Sequence, residues 1–294
     1  LDMRNIGKAG LKDFFYLWDP KLGGANGVGA YQTFSNNLAG NYVVTPGGGS
    51  YDTAGSSGNY IQSGQAFFVQ GGSSVGILTF DEHAKTDGNG PVSRSAALSR
   101  PQLRAGLYGL NADSTTYIAD GFLINFDDTY SDSVDDMDAV KSINFSENLS
   151  IKTGNNLLVI ERRHSIVKND TIFLNLTNTK LQRYRFKFIV GKLDQTVQTG
   201  FLEDNYLHTR TPLNLAGSTI EDFSIVNTPA SYAPDRFRIV FAPALVLPLS
   251  FTYLKAYPKS EDIAVEWKVL NETNLKQYDV EKSTDGTIFS YVSN

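Results

Sequence analysis

Six aspartates lie within twelve residues of this sequence, directly after an apolar run. They are Asp127, Asp128, Asp132, Asp135, Asp136 and Asp138. Ca²⁺ takes about six to eight oxygen ligands from a flexible loop, so this acidic loop, residues 127–138, is a candidate calcium site. The EF-hand pattern is absent, because the sixth loop position is not glycine and the twelfth is not glutamate. The alternative is a solvated loop whose aspartates form turns.

Carboxylate pairs can also hydrolyse glycosidic bonds when they lie about 5 to 9.5 Å apart across a sugar cleft. Asp127 and Asp135 are the residues that this enzyme hypothesis would test. The three histidines, His83, His164 and His208, are isolated in sequence, and the chain has no cysteine. We therefore predict that the chain is not an enzyme, has no catalytic residues and needs no cofactor other than the candidate calcium.

Aromatic rings in exposed loops can stack on sugars, and the glycine-rich first part of the chain carries several tyrosines. Tyr31, Tyr51 and Tyr60 are the candidates for residues that face a ligand. Trp18 lies in an apolar run and is predicted to be core. Ordinary core packing is the alternative for all of these residues, because it accounts for most large aromatic side chains.

The elements that would position these side chains are strands. The 294 residues include 18 Phe, 15 Tyr and 26 Gly, and no convincing amphipathic helix, which predicts an all-β fold. The net charge is −5 and no Lys/Arg stripe is present, which argues against nucleic acid as a partner. No apolar run approaches the roughly 18 residues of a membrane span. The expected partners are other copies of the chain, other surface proteins or glycans.

Three modules are expected along the chain. Residues 1–98 form a glycine-rich β module, residues 99–243 a β-sandwich or jelly-roll-like module, and residues 244–294 a partial module. The polar stretch 86–102 and the proline-containing stretch 242–248 are the expected connections. About 50 residues bury little apolar surface, so the third module is expected to be incomplete or to lean on its neighbour.

Eight strands are predicted in the second module from short apolar runs between turn residues. They lie at residues 103–110, 117–126, 157–162, 171–176, 184–190, 199–202, 223–226 and 236–241. The sequence YRFKFI at 184–189 alternates apolar with basic residues, which predicts a strand with one buried face and one wet face.

The C-terminal segment carries LPLSF at 247–251, VEW at 265–267 and YDVEKSTDG at 278–286. These stretches resemble a fibronectin-III-like module that is common near the C-termini of large Bacteroidota surface and secreted proteins. The resemblance implies an immunoglobulin-like start at residues 244–294 that continues beyond Asn294. YLWDP at 16–20 and IQSGQAFFV at 61–69 resemble the region upstream of that module.

Such proteins are similar to cargo of the type IX secretion system, which implies a secreted or cell-surface location. Their family members serve as adhesins, gliding-associated surface proteins and ancillary parts of secreted hydrolases. Four Asp-Ser/Thr triplets also resemble the Bacteroidota O-glycosylation signal. Their candidate attachment residues are Thr53, Ser114, Ser133 and Thr171.

We therefore expect a non-catalytic extracellular module that serves adhesion or assembly. Assembly into a filament or cell-surface subunit would proceed by adding a strand at an unpaired sheet edge. The alternative is a carbohydrate-binding ancillary region of a secreted polysaccharide hydrolase.

Overall fold

The structure is a computed structural model. It describes residues 1–23, 27–37, 40–48, 58–72, 74–86, 100–113, 115–167, 169–194, 198–243, 250–270 and 277–293. Nearly all of its regular elements are strands, which confirms the prediction of an all-β fold. The tertiary contacts divide the chain into two units, Leu1–Ala244 and Leu245–Asn294. The expected module boundaries near residues 98 and 244 both lie outside the described residues, so the three-module division stays a prediction.

The first unit begins with six short strands. They are β1 (Gly7–Ala9), β2 (Leu11–Asp19), β3 (Ala30–Asn36), β4 (Tyr42–Thr45), β5 (Phe67–Gly71) and β6 (Ile77–Thr79). Strands β2 to β5 form an antiparallel sheet in the order β4-β3-β2-β5, called here the N-terminal sheet, and β1 pairs with β6. Single 3-10 turns flank these strands at Met3–Asn5 and Glu82–Ala84.

A second, larger sheet contains eleven strands. They are β7 (Gln102–Leu110), β8 (Thr116–Phe126), β9 (Ala139–Val140), β10 (Asn148–Thr153), β11 (Asn156–Arg163), β12 (Thr171–Thr177), β13 (Arg183–Gly191), β14 (Gln198–Asp204), β15 (Thr209–Leu213), β16 (Ser218–Ser224) and β17 (Phe237–Pro243). Their order is β15-β14-β17-β12-β10-β11-β8-β7-β13-β16, with β9 beside β11. The outermost strands β15 and β16 approach each other, so the sheet nearly closes around one core. A 3-10 turn at Pro229–Tyr232 precedes β17.

Strand β13 shows how the alternating sequence builds this core. Tyr184, Phe186 and Phe188 are fully buried, while Arg185 is half-buried and Lys187 is exposed. The Phe186 ring lies 4.7 Å from the ring of Phe223 and 5.0 Å from that of Phe237, measured between centroids. The predicted strand with one buried and one wet face is confirmed.

Strand β2 is buried on both faces, which explains its uninterrupted apolar run. Phe15 and Leu17 lie in the core of the N-terminal sheet. Phe14 and Tyr16 point the other way and pack with Leu123 and Ile160 of the large sheet. Successive strand residues face opposite sides, so a strand covered on both sides needs apolar residues at every position. The N-terminal sheet therefore packs on the outer surface of β8 and β11.

Polar contacts fix the two sheets of the first unit together. Lys12 Nζ donates to the backbone oxygen of Asp135 at 2.7 Å. Arg162 Nη2 donates to the backbone oxygen of Asn36 at 2.6 Å, and its guanidinium lies 5.6 Å from the centre of the Phe14 ring. Because these bonds end on backbone atoms, they hold the sheets in one arrangement.

The second unit consists of two hairpins. One pairs β18 (Ser250–Lys259) with β19 (Asp262–Leu270), and the other pairs β20 (Val280–Lys282) with β21 (Ser290–Ser293). Trp267 packs on Tyr278 with ring centroids 5.6 Å apart. The fibronectin-III-like assignment of this unit stays a prediction. In the part of the chain that the structure describes, no helix has the length and hydropathy of a membrane span.

Candidate binding site

An open cleft of about 460 Å³ lies where the N-terminal sheet meets the segment that follows β9. One wall comes from β2, β3 and β5, and the other from residues 140–143. We call it the aromatic cleft. Its lining residues are Tyr16, Tyr31, Phe68, Val69, Gln70, Val140, Lys141, Ser142 and Ile143.

Strand register brings the aromatic residues of the first wall together. Tyr16 of β2 lies directly opposite Phe68 of β5, and Trp18 lies opposite Tyr31 of β3. Because side chains of directly paired residues lie side by side, this pairing places the aromatic rings of neighbouring strands next to one another at one end of the sheet. Four consecutive residues of a single strand could not do this, because two of them would face away.

Four rings form a continuous row along the cleft and its rim. Tyr31 lies between Phe68 at 6.0 Å and Trp18 at 4.9 Å, and Trp18 continues to Phe145 at 5.6 Å, all measured between centroids. Every contact is edge-to-face, the geometry that aromatic pairs favour. The two ends of the row are open to solvent, since Phe68 is 59% and Phe145 83% exposed. Large apolar side chains with this exposure are available for a ligand.

Gln70 links the two walls of the cleft. Its Oε1 accepts a hydrogen bond from Tyr16 Oη at 2.8 Å and another from the backbone N–H of Val140 at 3.3 Å. Burial raises the pKa of the Tyr16 hydroxyl, which therefore stays protonated and donates. Among the residues that the structure describes, Gln70 Nε2 has no partner, so it is a donor that a ligand can use.

A buried ion pair fixes the wall formed by residues 140–143. Lys141 Nζ lies 2.6 Å from Asp120 Oδ1, and the two side chains are only 2% and 0% exposed. Asp120 Oδ2 accepts the N–H of Leu149 at 2.7 Å. Burial raises the pKa of Asp120, against the opposing effects of Lys141 and of backbone N–H groups. Asn144, also buried, accepts the N–H of Tyr31 at 2.8 Å and joins this wall to β3.

The candidate calcium ligands of the acidic loop make separate contacts. Asp127 accepts hydrogen bonds from both the N–H and the hydroxyl of Thr129, which lower its pKa. Asp138 is buried and accepts the N–H groups of Asp135 and Arg162. Burial raises the pKa of Asp138.

The remaining carboxylates of this loop reach different partners. Asp136 lies 3.7 Å from Lys12 Nζ, Asp132 lies 3.9 Å from Arg163 Nε, and Asp128 lies 4.0 Å from His164 Nε2. Within the described ranges, no group of three His, Asp or Glu side chains could hold a metal ion. Calcium binding stays a prediction, and with these contacts it would require the loop to rearrange.

The three tyrosines predicted to face a ligand do not share one site. Tyr31 lines the aromatic cleft. Tyr60 forms an isolated bridge with Asp2 and lies 5.8 Å from the Arg4 guanidinium, outside the residues that line the cleft. Tyr51 lies outside the described residues. Trp18, predicted as core, is half-buried in the row of rings.

The predicted glycosylation residues are also divided. Ser133 is exposed in the acidic loop, where a glycan has room. Thr171 is half-buried and paired with Val240 within the large sheet. Thr53 and Ser114 lie outside the described residues. Glycosylation at these positions stays a prediction.

No family model, curated protein or solved structure matches this chain.

Sequence reasoning missed most of the cleft. Phe68 stood out only as part of the stretch 61–69, Gln70 was not singled out, and Phe145 lies in a polar stretch with no regular pattern. Nothing local to residues 140–145 shows that they lie against β5, because the contact joins segments some 70 residues apart. The usable signal was Tyr31, an aromatic residue close to glycine-rich turns.

Proposed function

We propose that this chain is a non-catalytic adhesion module of a secreted or cell-surface protein, and that the aromatic cleft binds the sugar residues of a glycan. The observation that carries the proposal is the row of rings along the cleft, with two exposed ends and amide and hydroxyl groups beside it. The expected ligand is a neutral saccharide, because Lys141, the only charged side chain among the described residues that line the cleft, is paired with Asp120.

The chemistry of a sugar ring matches this lining. One face of a pyranose carries C–H groups that pack on the electron-rich face of an aromatic ring. Its hydroxyl groups need hydrogen-bond partners, which Gln70 Nε2 and the Ser142 hydroxyl supply. The cleft is open along its length, so it suits a chain of sugar units.

Binding to insoluble polysaccharides and to a glycan array tests the proposal. We expect Phe68→Ala to lower the affinity for the retained glycan at least about tenfold, which corresponds to about 1.4 kcal/mol. Gln70→Leu removes the amide and should also weaken binding. Phe173→Ala is the matched control, because Phe173 is 51% exposed on β12, away from the cleft.

Two results would contradict this proposal. One is a complete absence of retention on every glycan tested. The other is retention that Phe68→Ala and Phe173→Ala reduce equally, because that would indicate non-specific apolar adsorption.

A second function, assembly, is supported by the second unit. Strands β18 and β19 pair only with each other among the described residues, so each has an open edge. Their large apolar side chains are exposed, including Leu254 at 66% and Ile263 at 72%. A two-stranded hairpin is at best marginally stable in water, and open edges accept further strands. We propose that hairpins from two copies of the chain pair edge to edge.

Light scattering after size exclusion, over a range of protein concentrations, tests the assembly proposal. We expect oligomers of the original protein and a shift to monomers in the variant Leu254→Lys/Ile263→Lys. Phe173→Lys places the same charge on a different exposed apolar position and should leave the oligomers intact. Monomers at every concentration would rule out assembly through this hairpin.

A further inference from the structure

A small cavity between the two sheets of the first unit contains a buried arginine that has no acidic partner in the part of the chain that the structure describes. Arg104 of β7 is 6% exposed and lines this cavity. Thr45, the last residue of β4, and Pro46, the next residue, also line it. The cavity has a volume of about 20 Å³. That is room for one water molecule or one monatomic ion, and too little for sulfate or phosphate.

The hydrogen bonds of Arg104 are incomplete. Its Nη1 donates to Thr45 Oγ1 at 3.3 Å, but its Nε has no partner among the described residues. Among the described residues no carboxylate forms an ion pair with Arg104, and burial alone lowers its pKa to about 10. The guanidinium therefore stays charged at neutral pH. A buried charge without compensation is strongly destabilising, and an orphaned buried N–H usually marks a bound water or ion.

A second cation lies on the same side of the sheet. In the register of β7 with β13, Arg104 is opposite Ile189 and Gly106 is opposite Lys187. Residues two apart on a strand share a face, so Lys187 and Arg104 lie on one face of neighbouring strands. Lys187 also lines the cavity, and no described acidic residue pairs with either cation there.

We propose that this cavity binds one small monovalent anion of the halide class, such as chloride, held by Arg104 Nε, the Thr45 hydroxyl and the Lys187 ammonium. A water molecule would complete the hydrogen bond of Nε but would leave the charge uncompensated. An anion does both. Because Thr45 belongs to the N-terminal sheet and the two cations to the large sheet, the anion bridges the sheets and stabilises their contact.

Melting temperatures in chloride and gluconate at equal ionic strength test the proposal with the full chain. Gluconate is too large for the cavity. We expect the melting temperature to rise with the logarithm of chloride concentration, since chloride at ten times its dissociation constant increases the ratio of folded to unfolded protein about 11-fold. Bromide should act like chloride. Arg104→Met should abolish the difference between chloride and gluconate, whereas Lys152→Met, which removes an exposed cation, should keep it.

A crystal grown or soaked in bromide provides a test that does not depend on whether Arg104→Met folds. We expect an anomalous scattering peak within hydrogen-bond distance of Arg104 Nε. Equal melting temperatures of the original protein in chloride and gluconate, or no bromide peak at this position, would overturn the proposal and leave water as the occupant. An equal response to chloride in Arg104→Met would likewise overturn it, as a general salt effect.

Discussion

Replacing Lys141 by methionine should destabilise the protein in a way that depends on pH. Methionine keeps the length and most of the volume of the lysine side chain but removes the ammonium that lies 2.6 Å from Asp120. Asp120 then has no cation beside it among the residues that the structure describes, while its side chain remains completely buried. Removing one partner of a buried ion pair costs about 3–5 kcal/mol, because the other charge stays buried.

In Lys141→Met, Asp120 can instead bind a proton and become neutral. The cost of that protonation sets an upper limit on the loss of unfolding free energy. A pH of 7 lies about 3.2 units above the ordinary Asp pKa of 3.8, and each unit corresponds to about 1.36 kcal/mol. Protonation of Asp120 at pH 7 therefore costs about 4.4 kcal/mol. At pH 5 the same reasoning gives about 1.6 kcal/mol. The sign follows from the raised pKa of the folded state. The folded protein binds the proton more tightly than the unfolded chain, so stability falls as pH rises above the unfolded pKa.

Urea unfolding, followed by circular dichroism at pH 5, 6 and 7, measures this effect. The loss of unfolding free energy in Lys141→Met should grow with pH up to about 4 kcal/mol at pH 7. Lys152→Met is the exposed control and should change stability by less than about 0.5 kcal/mol. Adding Asp120→Asn to Lys141→Met removes the buried charge and should restore most of the loss. A loss that is equal at pH 5 and pH 7, or below about 1 kcal/mol at pH 7, would refute the reasoning.

Three further measurements follow from the same structure. Arg236→Met should lower the free energy of unfolding by about 3–5 kcal/mol in urea titrations, because the buried Asp204 loses a partner 2.6 Å away. Arg238→Met, at a half-buried position, should cost much less. Phe186→Ala should cost about 3–5 kcal/mol by thermal or urea unfolding, because Phe186 is fully buried at the centre of the aromatic core, whereas Phe173→Ala should have a small effect. Adding calcium or a chelator should leave the melting temperature unchanged, because the carboxylates of the acidic loop contact separate partners; a saturable increase that Asp135→Asn removes would establish calcium binding.

Strands with an alternating pattern were predictable because one of their faces is buried and the other is wet. The predicted strand at 184–190 corresponds to β13, and that at 236–241 to β17. Strand β10 was not predicted. Its sequence NLSIKT has polar residues at alternate positions, yet Asn148 and Ser150 are buried with Leu149 and Ile151. Asn148 donates to the backbone of Asn144 and Ser146, contacts that no strand pattern reveals.

The binding site was less predictable than the strands, for a physical reason. Local periodicity shows which face of a strand is apolar, but a cleft needs two faces that meet. Phe68 is exposed on its strand and becomes part of a site only because Tyr31 and the segment after β9 lie beside it. Lys141 and Asp120 are charged residues in sequence and a buried pair in the fold. Burial of this pair depends on how the N-terminal sheet packs, and the amino-acid composition does not specify that packing.

The position of β17 affects how the protein would carry mechanical load. The chain leaves the first unit at the end of this strand, and β17 is hydrogen-bonded on both sides, to β12 and β14. A pull transmitted along the chain past residue 243 therefore acts on a strand in the interior of the sheet. Extracting β17 means breaking two rows of hydrogen bonds, whereas a strand at the border of a sheet is held by one. Under the proposed adhesion function, tethering through this end would leave the large sheet intact while a ligand is held.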